Sequence, residues 1–185
     1  TGTLTNGPTR TIGKIGQGLK FDGADDYVNI GSSFGLNVSS PTETFSLWFK
    51  TNSTAGTIPF NQHSNVNPNT EPTAYLPVFV VTKSGELRGE LWTGSTGSIT
   101  SSASVSDGNW HHAVMVGDKT NQYLYLDGSL IGSRSGTITQ TWWVNTTVGT
   151  GFDNASSNRS SGDDGWDYFN GLIDDVRIYN RALSP

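Results

Sequence analysis

Carboxylates cluster at two places in this chain. The closing stretch "YFNGLIDDVRIYNRALSP" sets Asp174 and Asp175 side by side inside an apolar, strand-like run. A strand avoids adjacent charges because desolvating them is costly, so the pair needs a purpose. Nearer the start, "FDGADDY" gathers Asp22, Asp25 and Asp26 around a turn. Carboxylate oxygens are hard donors that suit a hard cation such as Ca²⁺. Aspartate is also an ordinary turn residue, and on that reading Asp25 and Asp26 need no ligand.

Aromatic residues form a second group. Trp142 and Trp143 are adjacent, so on a strand one of them faces away from the core. Trp166 and Tyr168 flank the polar stretch 153–167, "DNASSNRSSGDDGWD", which carries Asp153, Asn154, Asp163 and Asp164. A ring face for C–H groups, with Asp and Asn for hydroxyls, is the equipment a polyol ligand requires. The loop and the Trp pair are expected to flank one exposed depression at an edge of the fold. Trp48 and Trp92 are the next candidates.

Catalytic signals are weaker. "GSSFG" at 31–35 matches G-x-S-x-G, but that motif works on a strand–turn–helix elbow. Pro41 follows soon after, and no helical pattern does. His111 and His112 are adjacent and point to opposite faces of a strand, and His63 reads as isolated in a loop. In "GELRGEL", Glu86 and Glu90 share a face of a straight strand but stand roughly 13 Å apart. Paired glycosidase acids are at most about 9.5 Å apart. The sequence reads as non-catalytic.

The elements that must position these groups are strands. Charged residues make up 15% of 185 and apolar ones 33%, with 23 glycines. Thr, Val and aromatics alternate between turn signals, an all-β pattern. Strands are predicted in "GLKFDGADDYVNIG", "TFSLWFKT", "AYLPVFVVTKSGELRGELW", "GNWHHAVMVGDKTNQYLYLDGSLIGS", "TTVGTGF" and "NGLIDDVRIY". Ser84-Gly85 and Asp127-Gly128 read as hairpin tips. Residues 61–73 read as a polar loop. Ten or more short strands in one domain of this size favour a two-sheet antiparallel jelly-roll sandwich.

Charge and composition exclude some functions. A net charge of −5 gives no basic footprint for nucleic acid. No run is apolar enough to insert in a membrane as a helix, and without cysteine there is no disulfide framework. The start at Thr1, with no signal-peptide pattern, is read as that of a mature piece or a module of a longer secreted protein.

In order along the chain, "GLKFDGADDYVNIG", "FSLWFK", "DGNWHHAVMV", "YLYLDGSLIG" and "YFNGLIDDVRIYNRALS" resemble the LamG-like (laminin G-like) branch of the concanavalin A-like lectin/glucanase superfamily, from about Gly18 to Ser184. The resemblance implies a jelly roll, a structural Ca²⁺, and a glycan-binding or adhesive role in a secreted or cell-surface protein with covalently linked neighbouring domains. It implies that "FDGADDY" meets "IDDV", so that Asp22, Asp25, Asp26, Asp174 and Asp175 share one Ca²⁺. Ile173 and Val176 both look like core residues yet are three apart, which predicts a β-bulge at Asp174-Asp175. The expected function is a monomeric, non-catalytic lectin-like module that binds a polysaccharide or glycan. The alternative is an adhesion or spacer domain with no sugar site.

Overall fold

The alternation in "TFSLWFK" sets the pattern of the molecule. Phe45, Leu47 and Phe49 are fully buried, while Trp48 on the other face is half-buried. The computed structural model describes residues 2–31, 42–55, 57–64, 70–139, 145–154 and 165–184. Sixteen strands run through these residues, with no helix among them. They are β1 (Thr3–Thr5), β2 (Thr9–Ile12), β3 (Gln17–Asp22), β4 (Tyr27–Asn29), β5 (Thr42–Lys50), β6 (Thr57–His63), β7 (Tyr75–Val81) and β8 (Glu86–Gly89). There follow β9 (Ile99–Ser104), β10 (Trp110–Asp118), β11 (Asn121–Leu126), β12 (Ser129–Ser135), β13 (Asn145–Val148), β14 (Thr150–Asp153), β15 (Gly165–Tyr168) and β16 (Asn170–Tyr179).

Two antiparallel sheets of seven strands face each other, in the orders β1-β4-β13-β6-β7-β8-β9 and β12-β11-β10-β5-β16-β3-β2. This is the jelly-roll sandwich expected. The core between the sheets is rich in phenylalanine: Phe21, Phe45, Phe49, Phe60, Phe79 and Phe169 are at most 1% exposed. Phe45 and Phe60 meet across the sandwich with ring centroids 5.2 Å apart. Burying side chains of this size contributes about 1.5–3 kcal/mol each.

The turns form where their residues allow them. Asp127 and Gly128 both have positive φ, 52° and 80°, the conformation of a two-residue hairpin that follows the twist of its strands. Gly85 closes the β7–β8 turn with φ 92°. The bulge in β16 is present: its register against β5 shifts between Asp174 and Arg177, and Asp175 has φ 48°. Ile173 is thereby buried, and Val176 also packs on the core.

Two readings are corrected. Residues 61–63 belong to β6 and are buried, not to a loop; polar side chains inside a strand erase the alternation that would reveal it. "TTVGTGF" is two strands, because at Gly149 (φ 86°) the chain leaves the large sheet for the small sheet β14–β15. A Cβ there would lie 2.3 Å from Phe21 Cε1, so only glycine lets the chain turn against the core.

Candidate functional site

The five aspartates divide into two groups. β3 pairs with β16, but Asp22 stands opposite Asn170, not opposite Asp174. Asp174 is four residues further on, about 13 Å along the strand at about 3.3 Å per residue. The expected convergence on one ion is therefore not what the register gives. Asp174 is 6% exposed, and two backbone N–H groups donate to it: Ile15 N to Oδ2 at 2.7 Å and Asp175 N to Oδ1 at 2.7 Å. Its carboxylate pins the β2–β3 turn to the bulge. A Cβ at Gly13 would come within 2.3 Å of Asp174 Oδ2, so the turn needs a glycine there. Asp175 accepts from Arg177 Nε at 2.9 Å.

Asp22, Asp25 and Asp26 do come together, with one oxygen of each within 4.8 Å of the others. Ala24 N donates to Asp22 Oδ1 at 2.8 Å, and Asp22 N donates to Asp26 Oδ2 at 3.1 Å. Asp26 is buried, and burial raises its carboxyl above the ordinary 3.8; the Asp22 N–H opposes this, while the Asp22 and Asp25 charges add to it. An all-oxygen donor set with a surplus of negative charge fits Ca²⁺. Three carboxylates supply part of the six to eight oxygens it takes, leaving carbonyls and water for the rest.

The aromatic candidates map onto the small sheet. β14 and β15 pair, with Phe152 opposite Trp166 and Asp153 opposite Gly165, and the hairpin packs over the outward side of β6 and β7. Trp166 is half-buried and held on three sides. Its ring meets His63 edge-on at 5.1 Å and Phe152 at 5.7 Å, and its Nε1–H donates to Thr70 O at 3.1 Å. Phe152 in turn meets Tyr75 at 4.9 Å. Asp153 is fully buried, and its Oδ1 accepts Asn154 N at 2.8 Å. Tyr168 lies toward the acidic turn: burial raises its phenol, and nearby Tyr27 and Asp25 add to the rise. Trp142, Trp143, Asp163 and Asp164 lie outside the described residues.

Beneath this hairpin are polar residues the sequence did not single out. Asn61, His63 and Asn145 are buried, and Asn145 faces His63 across β13 and β6. Neither polar atom of the Asn61 amide, nor Asn145 Nδ2, has a hydrogen-bond partner in the protein. Such atoms cost about 1–3 kcal/mol each when left unbonded, so they mark a place suited to a ligand's hydroxyls or to water. No sequence pattern flags a buried amide; only its neighbours across the sheet reveal it.

The profile described as "Concanavalin A-like lectin/glucanases superfamily", of the laminin G type, matches residues 22–185. The chain belongs to this superfamily. Solved structures agree with the LamG-like fold at low identity. Domain 4 of the extracellular arabinanase AbnA from Geobacillus stearothermophilus, in complex with arabinotriose, is 20% identical with a TM-score of 0.61, covering 99% of this chain and 84% of that one. The Ruminococcus gnavus IT-sialidase CBM40, bound to α2,3-sialyllactose, is 14% identical with a TM-score of 0.58, covering 90% and 91%. Mouse laminin α1 domains LG4-5 are 16% identical with a TM-score of 0.61, covering 96% and 44%. No curated protein matches the chain in sequence.

Among the described residues, the glutamates and histidines each have separate partners. Glu86 accepts from the hydroxyls of Thr82 and Ser84 in a turn, which lower its carboxyl, and the buried Glu90 accepts Gly97 N at 3.0 Å. His111 bridges Asp107 and Asp127, whereas His112 stacks on Trp48 on the other face of the sheet. Of "GSSFG", only Gly31 is among the described residues.

Proposed function

We propose that the chain is a non-catalytic carbohydrate-binding module of a secreted or cell-surface multidomain protein, stabilised by Ca²⁺ at Asp22, Asp25 and Asp26. One observation carries the sugar reading: the half-buried Trp166 ring is held by His63 and Phe152 on the hairpin that packs over Asn61, and Asn61 and Asn145, opposite His63, keep amide groups with unused hydrogen-bonding capacity. An anchored ring supplies a stacking face at little entropic cost, and amides and carboxylates supply hydroxyl partners. Asp153 and Asn154 sit at the same hairpin. Trp142, Trp143, Asp163 and Asp164 are proposed to complete the site from adjoining segments, with Tyr168 between it and the Ca²⁺ turn. Family and fold support the same reading, since the matched neighbours include an arabinotriose complex and a sialyllactose complex.

The test is a glycan array probed with and without EDTA, followed by titration of any hit against Trp166→Ala. Loss of a stacking indole is expected to weaken binding by about 1–3 kcal/mol. A folded Trp166→Ala variant that binds like the parent would move the site elsewhere. Absence of binding to any glycan would favour the spacer role.

A further inference from the structure

The outward face of the other large sheet carries Trp48 among a second group of aromatic and charged side chains. Register sets its side chains in rows across β10, β5 and β16. His112, Trp48 and the bulge form one row, Val114, Ser46 and Arg177 the next, and Thr44 and Tyr179 stand in the third. A depression of about 250 Å³ opens among them, with Ser46 and Val114 in its central row and Trp48 and Tyr179 to either side.

Its groups are fixed. His112 stacks on Trp48 at 4.8 Å with 22° between planes, and its Nε2 lies 2.8 Å from Ser46 Oγ. Arg177 Nε donates to Asp175 at 2.9 Å, and the Tyr179 side chain is its other partner. The guanidinium has five N–H donors, so most remain for a ligand, and the side chain is 53% exposed. Lys14 adds a second cation, its Nζ 4.9 Å from the Trp48 ring centroid. The nearest carboxylates are already engaged: Asp175 by Arg177, and Asp174 by two backbone amides. Lys14 and Arg177 balance the charges of Asp174 and Asp175, and Asp175 lines the depression beside Arg177, so what the depression offers an acidic group is the exposed remaining donors of the guanidinium.

Shape narrows the class of ligand. A protein partner covers about 800 Å² per side, whereas this concavity has the size of one small ring. We propose that it is a second binding site, for the carboxylated ring of an acidic sugar. Arg177 takes the carboxylate, Lys14 moves from the indole to share it, and Trp48 and Tyr179 pack the C–H faces. The site is separate from the β14–β15 hairpin and does not depend on it.

The probes are a galacturonate trisaccharide, α2,3-sialyllactose and neutral galactotriose, titrated by calorimetry and by the Trp48 indole N–H signal of the intact chain. One acidic probe is expected to bind and shift that signal, with galactotriose far weaker. Arg177→Gln should weaken it about tenfold or more, the scale of a charge-assisted hydrogen bond. Exposed Lys14→Ala should weaken it less and leave the melting temperature unchanged, and Trp166→Ala should have no effect. Whichever acid binds identifies the source of the carboxylate. The proposal is overturned if neither acid shifts the Trp48 signal, if affinity survives both charge variants, or if Trp166→Ala abolishes it, which would place acidic sugars at the hairpin instead.

Discussion

Replacing Asp174 by Asn separates two uses of a carboxylate. In the structure Asp174 is a hydrogen-bond acceptor for Ile15 N and Asp175 N, each at 2.7 Å, and it stands well away from the acidic turn. Asparagine keeps the shape and one acceptor, but turns an NH₂ toward the other backbone N–H. One charge-assisted bond is lost, about 1.5–3 kcal/mol, and two donors confront each other in a buried place. With a loss of about 2 kcal/mol and about 2–4 °C per kcal/mol for a chain of this size, the melting temperature should fall by about 4–8 °C. The decisive feature is independence from calcium: the drop should be the same in excess Ca²⁺ and in EDTA. Thermal melts of parent and variant under both conditions measure it. A drop seen in Ca²⁺ but absent in EDTA would make Asp174 a metal ligand and refute the pin.

Asp26→Asn should behave in the opposite way, removing most of the Ca²⁺-dependent rise in melting temperature while changing the EDTA value little. For the parent that rise is RT ln(1 + [L]/Kd), about 2.7 kcal/mol at a hundredfold excess over Kd. Burial pulls His111 down, yet its bonds to Asp127 and Asp107 outweigh this and set it above the ordinary 6.5, while its partner Asp107 is held at about 2. A group raised on folding stabilises below its unfolded pKa, so stability should decline as pH rises through 6.5 and beyond. His111→Gln should flatten that part of a pH series of melts. Gly149→Ala should cost about 2–4 kcal/mol, because it puts a side chain at positive φ and a methyl group against Phe21. If the melt of Gly149→Ala is unchanged, the turn into β14 is not tight.

Strands were legible wherever apolar and polar residues alternate, as in β5 and β11, and wherever a turn carried Gly with Ser or Asp. The β16 bulge followed from the spacing of Ile173 and Val176. β6 was half hidden, because Asn61, Gln62 and His63 are polar yet buried, and burial is decided by the hairpin laid over them. The aspartates show the limit most clearly. Their types pointed to an ion, but only the register of β3 against β16 separates a pin from a candidate ligand set, and register is a property of two distant segments. Trp166 stands out in the sequence because it borders a polar stretch; the rings it leans on, His63 and Phe152, lie on other strands and carry no such signal.

β16 is the last strand among the described residues, yet it lies inside its sheet, bonded to β5 on one side and β3 on the other. The tail beyond it is clipped as well, since Thr44 Oγ1 donates to Arg181 O at 2.9 Å and accepts Leu183 N at 3.0 Å. β1 is a three-residue strand at the margin of the opposite sheet, with one short ladder to lose. Tension applied through the two ends therefore meets unequal anchors. The leading end should peel away first, and the trailing end should hold until its two ladders fail together. In an array of such modules under load, slack would be released from the leading side of each domain, with the core still shut.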